Sequence, residues 1–343
     1  MFQPPPRRAR PRARIVLRLF AVLALLGAPV AARASVVEEV ALPSAALGRP
    51  LEVSIYRPDG PAPAGGWPVL YLLHGLHGCD RDWPNLGGVQ ATLDRLIAAR
   101  RVGPMLVVMP DAGDSWYVDS AEVGGPGNYQ TAILDDLPRA IERAYPVRAD
   151  RAGRAIAGLS MGGFGALRLA LTRPDRYVAA ASLSGAIWQN LPVADSGRAG
   201  EYFRRVDPAT VVSGIDLPPE GGHFGAAFGA PFDPRRFNAA NVFTLLARRI
   251  GEGAALPAIY LTVGDHDSHD LWRGSIALYQ TLMADHIGVD FRVTGGDHVW
   301  ALWRRSIEDV LVFVDSSFVA APGERPLAGA AAPRFAGTAS TVK

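Results

Sequence analysis

The hydrophobic positions of this chain follow two alternating rhythms. Short runs that are apolar almost throughout recur at 36–42, 51–56, 69–73 ("VLYLL"), 105–109 ("MLVVM"), 154–159, 179–183, 258–263 and 290–293. Runs of this length, bounded by glycine, proline or polar residues, are expected of strands covered on both faces. Between them, apolar positions fall three and four apart at 89–101, 131–145, 161–172, 275–287 and 301–318, the spacing of one helical face. The first two runs predict an antiparallel pair. The alternation that follows predicts an α/β fold: a mostly parallel eight-stranded sheet with helices on both faces.

Between 184 and 256 the rhythm fails. The stretch "GGHFGAAFGAPFDPRRFNAAN" is rich in Gly, Phe and Asn, and 187–257 reads as a partial lid over the carboxyl edge of the sheet rather than a second domain. The two ends differ again. Residues 1–34 pass from a basic start (Arg7, Arg8, Arg10, Arg12, Arg14) through the apolar run 19–30 to Ala32-Arg33-Ala34, the layout of a secretory signal peptide. That run is shorter than the ~20 residues that span a bilayer. An exported protein, periplasmic or extracellular, is therefore expected, with Ser35 as its first mature residue and no stable membrane insertion after cleavage; an uncleaved anchor is the alternative. Residues 321–343 hold little that can be buried and are expected to form a disordered tail. That leaves 35–320 as one folded domain.

Charge follows the same division. The whole chain has 35 Lys and Arg against 33 Asp and Glu, but seven arginines and no acid lie in 1–34. The mature chain would be acidic, with no basic face to suggest nucleic acid. Cys79 is the only cysteine, so no intrachain disulfide can form.

Chemistry concentrates where apolar runs end. Gly158-Leu159-Ser160-Met161-Gly162 fits the G-x-S-x-G elbow, in which a serine sits on a sharp strand-to-helix turn. A serine hydroxyl needs a base, and the base needs an acid to hold it. The run 258–263 is followed by "GDHDSHD" and the run 290–293 by "TGGDHVW", which supply Asp267 as acid and His298 as base in the chain order this arrangement requires. Asp265 and Asp270 compete with Asp267 for the acid. Together with His266 and His269 these aspartates admit a rival reading as a metal site, although no helical ligand spacing accompanies them. His74, His77, His223, His266, His269 and His286 compete with His298, mostly from the wrong part of the chain. Asp297 is expected to point elsewhere. For the oxyanion, one backbone N–H is expected from Met161 and a second from Leu76, in the "HGLHG" loop after the third run.

The segments "LLHGLHG…W", "MPDAGDSWYVDS", "DDLPRAIERAYPVRADRAGRAIAGLSMGGFGALRLAL" and "GGDHVWALWRRSI" resemble the putative-esterase family. That family groups S-formylglutathione hydrolase (esterase D), tributyrin and feruloyl esterases, and mycolyltransferases. The likeness covers about 36–318 and rests on four motifs in the same order. It implies an α/β-hydrolase fold, a triad of Ser160, Asp267 and His298, and an oxyanion hole from Leu76 and Met161. The family's Gly-x-x-Asp turn, matched by Gly264-Asp265-His266-Asp267, favours Asp267. Trp116 and Tyr117 fall in the loop resembling the acyl-site lining, where they either meet the acyl group or fill space beneath the loop. The expectation is a serine esterase acting on a small ester, with no metal or organic cofactor. The alternatives are a secreted acyltransferase of the mycolyltransferase type and a non-catalytic binding protein on the same frame. A secretion signal argues against a cytosolic glutathione thioester as substrate.

Overall fold

The computed structural model describes residues 34–191 and 222–319. The signal-like segment up to 33, residues 192–221 of the excursion, and the tail from 320 lie outside them. All eight apolar runs are strands: β1 (Val36–Leu42), β2 (Leu51–Arg57), β3 (Val69–Leu73), β4 (Leu106–Pro110), β5 (Arg154–Leu159), β6 (Ala179–Leu183), β7 (Ala258–Gly264) and β8 (Val289–Thr294). They form one sheet in the order β1-β2-β4-β3-β5-β6-β7-β8. β2 is antiparallel to both β1 and β4, and every other pair is parallel. The chain leaves β3 towards β4 and returns on the other side at β5. The carboxyl ends of β3 and β5 therefore flank a switch point, the place where open α/β sheets leave a crevice.

The helices are α1 (Asp82–Asn85), α2 (Val89–Ala98), α3 (Leu137–Ala144), α4 (Met161–Thr172), α5 (Pro234–Ala240), α6 (Val242–Gly251), α7 (Trp272–Ala284) and α8 (Trp300–Val319). Side chains alternate across a strand, so β3 sends Val69, Tyr71 and Leu73 to one core and Leu70 and Leu72 to the other. The first core is closed by α3, α4, α6 and α7 through Ile141, Leu167, Leu245 and Leu278. The second is closed by α2 and α8 through Leu93, Leu96, Ile307, Val310 and Leu311. Among the described residues no helix is long and apolar enough to cross a membrane.

Two departures from the sequence pattern have local causes. Ahead of α3 the helix widens into a π turn over Ala132–Asp136. Pro138 has no N–H to offer the Leu134 carbonyl, and the Arg176 guanidinium donates to that oxygen instead. The second departure is in the excursion, where α5 and α6 stand although the pattern predicts no helix there. Asn241 caps α6 by accepting from Phe243 N (2.9 Å), and its amide donates to the Trp188 carbonyl (2.9 Å). Leu245 and Leu246 are buried against the core, so this part of 187–257 is the crossover helix that two parallel strands require, not lid.

Candidate active site

Ser160 lies between β5 and α4 with φ 54° and ψ −119°, outside the regions a non-glycine residue prefers. Such strain costs about 1–3 kcal/mol and persists only where the surroundings over-determine it. Here they do. Ser160 N donates to the Leu183 carbonyl (2.9 Å), and the Ser160 carbonyl accepts from the amides of Gly163, Phe164 and Ala186. The flanking glycines are steric necessities: a Cβ on Gly158 would meet the Gly162 carbonyl oxygen at 2.3 Å, and one on Gly162 would meet the His74 carbonyl oxygen at 2.4 Å.

The loops after β7 and β8 bring Asp267 and His298 to this turn. His298 Nε2 is 3.0 Å from Ser160 Oγ, and His298 Nδ1 is 2.8 Å from Asp267 Oδ2. Asp267 is buried, and its Oδ1 accepts from His269 N (3.0 Å). With Nδ1–H donating to that carboxylate, the Nε2 lone pair faces the serine hydroxyl. Trp303 and His269 meet the imidazole edge-on, at centroid distances of 4.9 and 4.8 Å.

The competing acids are occupied elsewhere. Asp265 Oδ1 pairs with His266 Nδ1 (2.6 Å) and accepts from Gly296 N (3.0 Å), and those donors hold its carboxyl below the usual range. Asp270 accepts from the Trp272 indole (3.1 Å). Asp297 is engaged at the backbone. Its Oδ1 accepts from His298 N (2.6 Å) and Ser268 N (2.7 Å), which keeps its carboxyl low. Asp265 on one loop and Asp297 on the other therefore clasp the two loops together. Among the described residues no group of three or more His, Cys, Asp or Glu converges as metal ligands would.

Facing Ser160 is the loop after β3. His74 is buried; its Nδ1–H donates to the Gly75 carbonyl (2.7 Å) and its Nε2 accepts from Ala112 N (2.9 Å). Burial lowers its pKa, which suits this neutral bracket. The loop thus holds a buried histidine at one end and the exposed His77 at the other. Gly75 and Leu76 border the same cleft as Ser160. Neither the Leu76 nor the Met161 N–H donates to an oxygen among the described residues, and Met161 opens α4, where helical N–H groups are unpaired and the dipole is positive.

The cleft encloses about 740 Å³. Trp116 is on its wall, packed against Trp188 (5.4 Å) and Phe224 (4.7 Å), with its indole N–H donating to the His223 carbonyl (3.2 Å). Tyr117 takes the second of the two roles open to it. It is fully buried beneath the cleft, its ring fills the space left by Gly165, and its hydroxyl donates to the His74 carbonyl (2.9 Å). Trp116 and Tyr117 both have positive φ, and the buried Arg168 steadies them by donating to the Tyr117 carbonyl (2.8 Å). Burial lowers that guanidinium to about 10. Sequence reasoning missed Trp188, His223, Trp300, Trp303 and Asp82, all on the cleft wall. Trp188 was findable, since it follows a strand's carboxyl end; His223 carried no signal.

Comparison with known proteins places the chain in a family. A family model described as "Putative esterase" matches residues 44–314. An esterase of Mycobacterium tuberculosis strain H37Rv is 36% identical over 145 residues, 41% of this chain and 30% of that protein. A diacylglycerol acyltransferase/mycolyltransferase, Ag85B of Mycolicibacterium smegmatis, is 32% identical over 182 residues, 48% of this chain and 51% of that protein. The chain thus spans between about a third and a half of these two relatives. A solved ferulic acid esterase superposes with a TM-score of 0.63 at 25% identity, covering 83% of this chain and 99% of its own. By the reach of that family model and by its sheet, the chain belongs to the putative-esterase family and has the α/β-hydrolase fold.

Proposed function

We propose that this chain is an exported serine esterase that hydrolyses carboxylic esters through an acyl-enzyme on Ser160. The observation that carries the reading is the continuous contact Ser160 Oγ–His298 Nε2–Asp267 Oδ2, at 3.0 and 2.8 Å, on a cleft floor. His298 takes the hydroxyl proton as Ser160 attacks the ester carbonyl. Asp267 holds the imidazole in the required tautomer and supports its positive charge. The N–H groups of Leu76 and Met161 stabilise the oxyanion, and His298 returns the proton to the departing alcohol. Water then repeats the sequence to release the acid. Trp116 lines the acyl side. The layout of residues 1–34 supports export.

The test is a fluorophosphonate probe and a p-nitrophenyl ester. The wild-type chain should label at Ser160 and turn the ester over, and Ser160→Ala should do neither. Turnover by Ser160→Ala near the wild-type rate would overturn the reading. Product analysis with glycerol present separates hydrolysis from transfer to an alcohol. Amino-terminal sequencing of protein recovered outside the cytoplasm should begin at Ser35; an intact start would remove export by cleavage.

A further inference from the structure

Two sets of touching rings line the cleft that holds Ser160, Trp116 with Trp188 and His298 with Trp303 and Trp300. On the esterase reading, His298 tells them apart: its Nε2 returns a proton to the departing oxygen, so the alcohol portion of the ester lies on the imidazole's side. From His298 the rings continue in a chain. Trp303 meets His298 at 4.9 Å, Trp300 meets Trp303 at 5.2 Å, and Trp83 meets Trp300 at 5.4 Å. Asp82, next to Trp83 in sequence, lines the cleft, as do Leu76 and His77. Trp116, Trp188 and Leu271 add apolar wall to the same cleft.

Asp82 is the one carboxylate among the described residues lining the cleft, and no Lys or Arg lines it. It is half-buried. Its neighbours offer it little: Oδ1 accepts only from the Cys79 thiol at 3.7 Å, a weak donor. Oδ2 packs against Gly78, where an added Cβ would lie 2.3 Å away. Nearby acids are better served. Asp80 accepts from the Ser54 hydroxyl at 2.6 Å, and Asp114 holds both the His77 amide and ring. A carboxylate left half-buried on a cleft wall, without an N–H or cationic partner among the described residues, is prepared for a donor that arrives with the ligand.

We propose that Asp82 anchors an alcohol-side subsite that selects esters whose alcohol portion carries a hydrogen-bond donor, a hydroxyl or a protonated amine. The inference rests on the esterase reading of the same cleft. The experiment measures kcat/KM on pairs sharing one acyl group: a glycerol monoester against the n-propyl ester, and a 2-(dimethylamino)ethyl ester against the 3-methylbutyl ester. The wild-type enzyme should favour the donor-bearing member of at least one pair about tenfold, and Asp82→Ala should erase that preference. Asp82→Asn keeps an acceptor and loses the charge. Preference retained in Asp82→Asn for the glycerol pair identifies a hydroxyl, and preference lost for the amine pair identifies a cation. A wild-type ratio near one in both pairs, or an unchanged ratio in Asp82→Ala, would overturn the proposal. Should Asp82→Ala melt early, the near-isosteric Asp82→Asn and the amine pair decide. A wild-type enzyme that hydrolyses none of these esters, nor a p-nitrophenyl ester, would instead defeat the esterase reading itself.

Discussion

Ser160 and its two partners, His298 and Asp267, are held by opposite means. Ser160 sits in a buried strand-turn-helix whose shape is set within a few residues, by glycines that leave no room for a Cβ and by amides bonding its own carbonyl. His298 and Asp267 come from loops at the sheet's exposed end, with Asp265, Ser268 and Asp297 open to solvent. Those loops are joined by hydrogen bonds, Asp265 N to Thr294 O (3.0 Å), His266 N to Gly296 O (3.0 Å) and the two carboxylate clasps, and by one edge-on ring contact, His269 on His298. The elbow is protected by packing, so damage to it is a folding event. The loops are protected by a few polar contacts, so damage to them misplaces the base while the core stays intact.

The largest expected effect is the loss of the nucleophile. Ser160→Ala should lower kcat by at least ~10³ with an unchanged melting temperature, because the hydroxyl contributes chemistry and little packing. Next comes the elbow. Gly162→Ala places a methyl against the backbone oxygen of His74, which cannot rotate away. It should lower both the melting temperature and the activity, the former by about 2–4 °C for each kcal/mol lost. A variant that melts normally would mean the elbow is looser than the structure shows. The loop clasp should fail differently. Asp297→Ala should reduce kcat about tenfold, the scale of a sub-ångström misplacement of a catalytic group, with KM and melting temperature little changed. Asp297→Asn, which keeps the accepting oxygen, should recover most of the rate. Equal loss in both variants would sink the clasp.

The smallest effect is on stability as pH falls. Burial lowers the folded-state pKa of His74, and that of His223 to about 4, from an ordinary 6.5. Below 6.5 the unfolded chain then binds more protons than the folded one, so stability falls with pH down towards about 4. A melting temperature some degrees lower at pH ~5 than at pH ~7 is expected. Asp265 and Asp297, whose carboxyls are depressed, add nothing within that window. Their stabilisation is lost only below the ordinary carboxylate range, ~3.9. A flat profile would mean that neither histidine is held neutral by its surroundings.

The same contrast governs how much was legible beforehand. The strands could be read because a strand covered on both faces must be apolar throughout, and the elbow because its steric demands fall on residues four apart. Trp116 and Tyr117 could not be told apart by type. Both are large aromatics in one loop, yet one walls the cleft and the other lies beneath it, because two successive left-handed residues turn their side chains to different sides. The helix α6 went unread because its short apolar face follows a stretch of glycine and phenylalanine without periodicity.

By itself, the chain's pattern determined the layers, the strand count and the serine, since burial and local backbone geometry act over neighbouring residues. Only the tertiary structure decided which of three nearby aspartates meets the imidazole, what Asp297 does, and which side chains wall the cleft. Those outcomes depend on contacts between residues far apart in sequence, 138 positions for Ser160 and His298, and such contacts exist only once the sheet has brought its loops to one edge.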